Sequence, residues 1–308
     1  MSDKYAPVVA FAYNRVDKIK KCIEYLEKCR EASESDLYLF CDGAKGAKDK
    51  ADVERVHDFV REYESKSLFR NVIVTVQGEN KGLAESIITG VTEVVNKHGV
   101  AIVVEDDLIV LSSFLKYMNE GLDYYREDLK CGSICSFTYP IKDLRYYDKD
   151  VYFTRKADCW GWATWADRWN NAEWIDTDYL SYLSNPHLRR SFERLEAGLD
   201  RLMYLQYKGK IDSWAVRWIY YLFLKGQLSV YPSKSQVIND GFDGSGTHIR
   251  RGYGSGFNAS VECCEELASF KWEECFYNEE IAKKCARFPR RFLPLYMLET
   301  IRFMLKKR

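Results

Sequence analysis

Over its first hundred residues the chain alternates short apolar runs with amphipathic stretches. Pro7 to Tyr13 (PVVAFAY) has no polar alternation, which is the pattern of a strand buried on both faces. In Val16 to Cys29, which follows, Val16, Ile19, Ile23 and Leu26 recur at helical spacing. Leu37 to Cys41 (LYLFC) predicts a second strand, closed by the turn-like pair Asp42-Gly43. Helical spacing returns at Val53, Val56 and Val60. Val72 to Val76 predicts a third strand and Leu83 to Val95 a third helix. Val100 to Val104 (VAIVV) predicts a fourth strand, running straight into Glu105-Asp106-Asp107.

Apolar strands alternating with amphipathic helices predict an α/β fold, with a mostly parallel sheet covered by helices on both faces. In such open sheets ligands sit beyond the carboxyl ends of the strands. Asn14-Arg15, Asp42-Gly43 and Glu105-Asp106-Asp107 occupy those ends, so they are expected to converge. Beyond Asp107 the pattern loosens. Phe114 to Tyr125 reads as a helix, Ser133 to Phe137 as a strand, and Val151 to Trp174 as aromatic-rich and irregular. Leu188 to Tyr207 and Asp212 to Leu224 read as helical, Gly241 to Gly256 as a glycine-rich loop, and the segment from Glu262 as helical.

Composition narrows the function classes. Lys+Arg and Asp+Glu both number 46 in 308 residues, so no global field attracts nucleic acid. The ten cysteines include no CxxC pair, which argues against a zinc site, and Cys22, Cys41 and Cys135 fall in apolar segments as buried thiols do. The start MSDKYAPVVAFAYN has neither a basic n-region nor an apolar h-region, and no run approaches 18 apolar residues. A cytoplasmic, reducing location is therefore expected. Seven of the eight tryptophans lie between Trp160 and Trp218, either as a large aromatic core or as a platform for the apolar faces of sugar rings.

Three consecutive carboxylates repel one another, and a divalent cation relieves that repulsion. Mg2+ or Mn2+ prefers carboxylate plus phosphate oxygens, which makes a nucleotide diphosphate a natural co-ligand. The same triplet could be a solvated loop or an acidic first turn. Asp42 reads as a plain turn residue or as an acceptor for a nucleobase, and Arg15 as a surface residue or a cation facing base or phosphate. The Asn80-Lys81-Gly82 turn opens a helix whose amides could meet an anion or simply be capped. Asp212 is either an N-cap or a carboxylate beside a bound sugar, suited to a general base. His248, at the end of the glycine-rich loop, is a candidate second metal ligand if that loop is a lid. The basic C-terminal run Arg287 to Arg308 fits either a peripheral membrane contact or a helix docked on its own domain.

The segment VVEDDLIVLSSFLKYM resembles the Golgi N-acetylglucosaminyltransferase family that initiates hybrid and complex N-glycans. The likeness continues in order through Asn14-Arg15-Val16, Cys41-Asp42-Gly43, Glu105-Asp106-Asp107, Trp160-Gly161-Trp162 with Trp169, and Asp212-Ser213-Trp214, over residues 7 to 220. Asn14-Arg15, Asp42-Gly43 and the Asn-Lys-Gly turn also resemble bacterial glycosyltransferases that build surface polysaccharides. The resemblance implies a GT-A fold and an inverting transfer from a UDP-sugar to a saccharide acceptor, which could be lipid-linked. It implies that Arg15 and Asp42 hold the uridine, Glu105 and Asp106 contact ribose and donor sugar, Asp107 binds Mn2+, and Asp212 is the base. Asn14 and Lys81 join the expected donor site, and Trp160, Trp162 and Trp214 the expected acceptor site. The corresponding organisation is a GT-A domain over 1–260, with a nucleotide-sugar-binding half (1–107) and an acceptor-binding half (108–260), then a helical extension over 261–308. A metal-dependent nucleotidyltransferase or hydrolase, and a non-catalytic carbohydrate-binding protein, are the competing expectations.

Overall fold

The computed structural model describes residues 4–174, 179–243 and 269–288. The first part follows the expected alternation: β1 (Val8–Ala12), α1 (Val16–Leu26), β2 (Asp36–Cys41), α2 (Lys50–Tyr63), β3 (Asn71–Val76), α3 (Leu83–His98) and β4 (Val100–Glu105). Next come β5 (Leu108–Val110), α4 (Phe114–Tyr124), β6 (Cys131–Cys135), β7 (Val151–Thr154), β8 (Trp162–Trp165) and the short α5 (Ala166–Trp169). The helices α6 (Tyr179–Ser184), α7 (Pro186–Glu193), α8 (Leu199–Tyr207) and α9 (Trp214–Lys225) lead to β9 (Leu228–Pro232) and β10 (Val237–Asn239). A further helix, α10, spans Glu279–Arg287.

Among the described residues eight strands form one sheet in the order β3-β2-β1-β4-β8-β6-β9-β7. The four strands of the first part are parallel, β8 runs against β4 and β6, and β7 runs against β9. The α/β architecture expected from the sequence, a mostly parallel sheet flanked by helices, is present. The unbroken apolar runs have a direct cause, since successive side chains of a strand point to opposite faces and here both faces are covered. Val8, Ala10 and Ala12 of β1 join Leu37, Leu39 and Cys41 of β2 beneath α1, α2 and α4. Val9 and Phe11 join Tyr38 and Phe40 beneath the α3 residues Ile87, Val91 and Val94. A polar group here needs a partner, as the Tyr38 hydroxyl has in His98 and Lys97 and the buried Asp36 in Arg70 and Asn71.

Several elements depart from the sequence reading. The strand expected at Ser133–Phe137 begins two residues earlier, and the span read as irregular holds β7 and β8. The single helix expected over Leu188–Tyr207 is two, parted by Gly198 at a φ of 100°. Among the described residues of the expected extension from residue 261, 269–278 are irregular and Glu279–Arg287 is helical. This segment is no appendage. Trp272 packs on Tyr117 with ring centroids 5.2 Å apart, and Ile281, Cys285 and Phe288 enter the main core. The described cysteines are all free thiols. No helix among the described residues is long and apolar enough to cross a membrane.

Candidate nucleotide and metal site

Strand register brings the expected groups to one edge. Ala12 lies opposite Cys41 and Phe11 opposite Glu105, so Arg15, Asp42 and Glu105 all emerge where β1, β2 and β4 end. Arg15 starts α1, its carbonyl accepting the amides of Lys18 and Ile19 at 3.1 Å. Its guanidinium grips the triplet. Nε donates to Asp106 Oδ2 at 3.2 Å, and Nη2 donates to the other Asp106 oxygen and to Asp107 Oδ2, the latter at 2.9 Å. The third nitrogen, Nη1, is buried and has no hydrogen-bond acceptor. Asn14, next to it, is partly buried.

The carboxylates sit at real electrostatic cost. Burial pushes Asp106 up to about 6, against the pull of Arg15. Burial, then repulsion from Asp107 and Asp106, pushes Glu105 up to about 8. The hard oxygen donors of the triplet fit a divalent cation, whose charge would favour the ionised form of Glu105 and Asp106. Among the described residues no three histidine, cysteine, aspartate or glutamate side chains are grouped to hold a metal by themselves. A cation here would take Asp107 and draw its remaining ligands from a bound molecule, as Mg2+ and Mn2+ do with phosphates.

A ribbon of β5 and β10 holds the far side of Asp107. Asn239 pairs with Leu108, and the Asp240 amide donates to the Asp107 carbonyl at 2.7 Å. Lys18 and Lys21 of α1 clamp the Asp240 carboxylate at 3.1 and 3.0 Å. A side chain on Gly241 would collide with Asp107 Oδ2, so glycine is required for this close approach. Phe242 then rests edge-on against Trp160, centroids 5.5 Å apart. Asp240 and its lysines were not legible as site residues, since they are about 220 positions apart and joined only by the fold.

Asp42 does not play the part expected of it. Its Oδ1 accepts the amides of Gly43 and Lys81 at 2.9 and 2.8 Å, and its Oδ2 accepts Asn80 Nδ2 and the Gly82 amide at 2.8 and 2.9 Å. A carboxylate offers about four lone-pair sites, and protein donors fill them, so Asp42 shapes the 80–82 turn instead of receiving a nucleobase. Gly43 allows this, because a Cβ there would strike the Glu79 backbone. His57 donates to the Asp42 carbonyl at 3.0 Å. The Lys81 side chain stays exposed beside a cavity of about 80 Å³ that Asp42 and Gln77 also line.

The aromatic segment requires a second correction. Trp162 and Trp214 are 1% and 3% exposed and stack on each other with centroids 5.0 Å apart, inside a cluster with Trp169 and Trp218. Their ring faces are covered by other rings, so neither can stack a sugar. Trp160 differs: it is partly buried, wedged between Phe137 and Phe242. Its amide donates to Asp158 at 3.1 Å, and Lys156 bridges Asp158 and Glu196 at 3.2 and 2.7 Å. Burial opposes the charge on Lys156, but Glu196 and Asp158 raise it well above the ordinary lysine range. This network was hidden in the sequence inside a stretch whose aromatics dominated the pattern.

Asp212 is not the cap of α9. Ser213 is, its hydroxyl accepting the Val216 amide at 3.3 Å. The Asp212 side chain is 61% exposed, with Oδ1 held by Arg217 at 2.9 Å. Trp162 pairs with Val103, two residues before Glu105, and carries Trp214 on its ring face. The start of α9, and Asp212 with it, therefore lies toward the same carboxyl edge. His248 and the glycine-rich loop beyond residue 243 lie outside the described residues, as does the basic segment beyond residue 288.

No family model matches the chain, and no curated protein does. Among solved structures, TarS of S. aureus is matched at 14% identity and a TM-score of 0.34, over 43% of this chain and 22% of that one. The chain thus spans less than a quarter of that protein. The mannosyltransferase PcManGT from Pyrobaculum calidifontis, in complex with GDP-Man and Mn2+, is matched at 9% identity and a TM-score of 0.38, over 73% of this chain and 70% of that one. At these scores neither likeness bears on the residues of the site.

Proposed function

We propose that the protein is an inverting glycosyltransferase, moving a hexose or N-acetylhexosamine from a UDP-sugar to a saccharide acceptor in bacterial surface polysaccharide or glycan synthesis. The observation that carries this reading is Arg15. Its guanidinium is fixed by Asp106 and Asp107 while Nη1 is buried without an acceptor. An unmet buried donor costs about 1–3 kcal/mol, and more for a charged group, so the site gains most from an anionic ligand oxygen. A nucleotide diphosphate supplies one next to the carboxylates that would share its cation.

In this reading Asn14, Arg15 and the Lys81 side chain hold the nucleotide on the turn that Asp42 shapes. Glu105 and Asp106 face ribose and donor-sugar hydroxyls. Asp107 holds Mn2+ or Mg2+, which when bound neutralises charge on the departing diphosphate. Asp212 takes the proton of an acceptor hydroxyl as that oxygen bonds to the anomeric carbon, and the diphosphate leaves with the bonding pair. Trp160, under Phe242, walls the acceptor side. His248 is carried as a second metal ligand, and the basic C-terminus as a contact for a membrane holding lipid-linked acceptor.

The test is a thermal-shift panel of nucleotide sugars with and without Mn2+. A ligand at 100 times its Kd adds about 2.7 kcal/mol of stability, and UDP-sugars should do so only with the metal. A flat response to every nucleotide sugar would sink the reading. Acidic clusters that bind metal also suit nucleotidyl transfer or hydrolysis, and the product separates them. Glycosyl transfer releases nucleoside diphosphate, whereas nucleotidyl transfer releases pyrophosphate and hydrolysis of a nucleotide sugar at its diphosphate releases nucleoside monophosphate and sugar phosphate.

A further inference from the structure

With Trp162 and Trp214 sealed in the core, the side of the edge beside Asp212 needs another surface able to hold a sugar ring. The helix α8 offers one. Met203 and Leu205 are buried, whereas Tyr204 and Tyr207, three residues apart on one helix face, remain 44% and 36% exposed. Tyr179 of α6 lies against Tyr207 with centroids 5.9 Å apart. Lys208 Nζ stands 5.8 and 5.1 Å from the Tyr204 and Tyr207 rings.

This patch is tied to Asp212 by the chain itself. Gln206 Oε1 accepts the Ser213 amide at 2.7 Å, and the Lys210 amide returns to the Leu205 carbonyl at 2.9 Å. Tyr207 and Asp212 therefore flank one tight connection between α8 and α9. Arg217 holds one oxygen of Asp212 and anchors itself on the Trp174 carbonyl at 2.8 Å. The second oxygen, Oδ2, accepts no hydrogen bond among the described residues.

We infer that Tyr204 and Tyr207 form the platform of a pyranose-binding subsite whose hydroxyl-facing group is Asp212. Half-exposed phenol rings match the apolar C–H face of a sugar and keep a polar edge for its hydroxyls. The second Asp212 oxygen, across the same connection from Tyr207, takes the hydroxyl hydrogen bonds. This rests on the glycosyltransferase reading for its role as the acceptor subsite, but not for its ability to bind a sugar.

The experiment is saturation-transfer NMR on the full chain with UDP and Mg2+, using the methyl glycosides of glucose, galactose, mannose and N-acetylglucosamine as probes. At least one glycoside should receive saturation on its ring C–H protons. That signal should fall about fivefold or more in Tyr207→Ala and in Tyr204→Ala, the scale of losing an aromatic face, and should survive in Tyr207→Phe. Both rings are exposed, and an unchanged melting curve confirms that the variants fold. No glycoside signal, or one indifferent to both alanine variants, overturns the subsite. The uracil protons report separately on the donor site in the same spectra. UDP bound without a tyrosine-dependent glycoside signal removes the subsite and keeps the transferase reading. A tyrosine-dependent glycoside signal without bound UDP does the reverse.

Discussion

At the carboxyl edge of β1, β2 and β4, like charges crowd together where burial penalises them. In the stretch from Trp160 to Trp218, four tryptophans do the opposite and bury one another. Glu105 and Asp106 are each pushed well above the ordinary carboxylate range, so the edge gives up stability to hold them. Trp162, Trp169, Trp214 and Trp218 cover one another's rings and add far more by burial than the one unpaired indole N–H of Trp218 gives up. Unrelieved cost is the better pointer to a ligand. A residue that improves the fold where it sits is already explained.

Substitutions can test that contrast. Replacing Asp107 with alanine should lower transfer by on the order of 10³-fold, the several kcal/mol of charge stabilisation that a bound cation supplies. The Mn2+-dependent part of the thermal shift should vanish with it, while melting without metal should hardly change. Product formation and melting curves measure both, and a variant still stabilised by Mn2+ with nucleotide would take Asp107 out of the role.

Trp162→Ala should act on the fold, costing about 3–5 kcal/mol in denaturant unfolding. If stability were unchanged and only sugar binding failed, the burial account of this ring would be wrong. Asp212→Asn should reduce transfer by on the order of 10²-fold and leave nucleotide affinity alone. Equal turnover of the two proteins would move the base elsewhere.

The smallest effect concerns pH. A carboxyl whose pKa is raised on folding binds its proton more tightly in the folded chain. The stability it contributes is complete below the ordinary glutamate range and is lost as pH rises through the folded value. For Glu105 that window runs from about 4.5 to about 8. Metal-free protein should therefore melt on the order of a few degrees lower at pH 8 than at pH 5.5, and Glu105→Gln should flatten the slope. A rise in melting temperature over this window would contradict the electrostatics of the edge.

The sequence showed the first part of the fold clearly because β1, β2 and β4 are covered on both faces and have to be apolar throughout. Their ends were legible for the same reason, since Asn14 with Arg15, then Asp42 and Glu105, are where polar residues are first allowed. Trp162 to Trp165 was not legible as a strand. Its tryptophans carry no alternation that separates a buried ring from an exposed platform, and the covering partner, Trp214, arrives about fifty residues later. The role of Asp42 was hidden because its donors come from the Asn80-Lys81-Gly82 turn, which only the packing of β2 beside β3 brings near. The ribbon of β5 and β10 was missed because three-residue strands give too little pattern to read.

The path from Asp107 through the Asp240 amide to Phe242 and Trp160 has a thermodynamic consequence. A ligand that displaces the Asp107 main chain either carries Phe242 with it or breaks a 2.7 Å hydrogen bond. If donor and acceptor lie on the two sides of Trp160, as proposed, their occupancies are linked, and linkage is reciprocal. Whatever factor the first ligand adds to the affinity for the second, the second returns to the first.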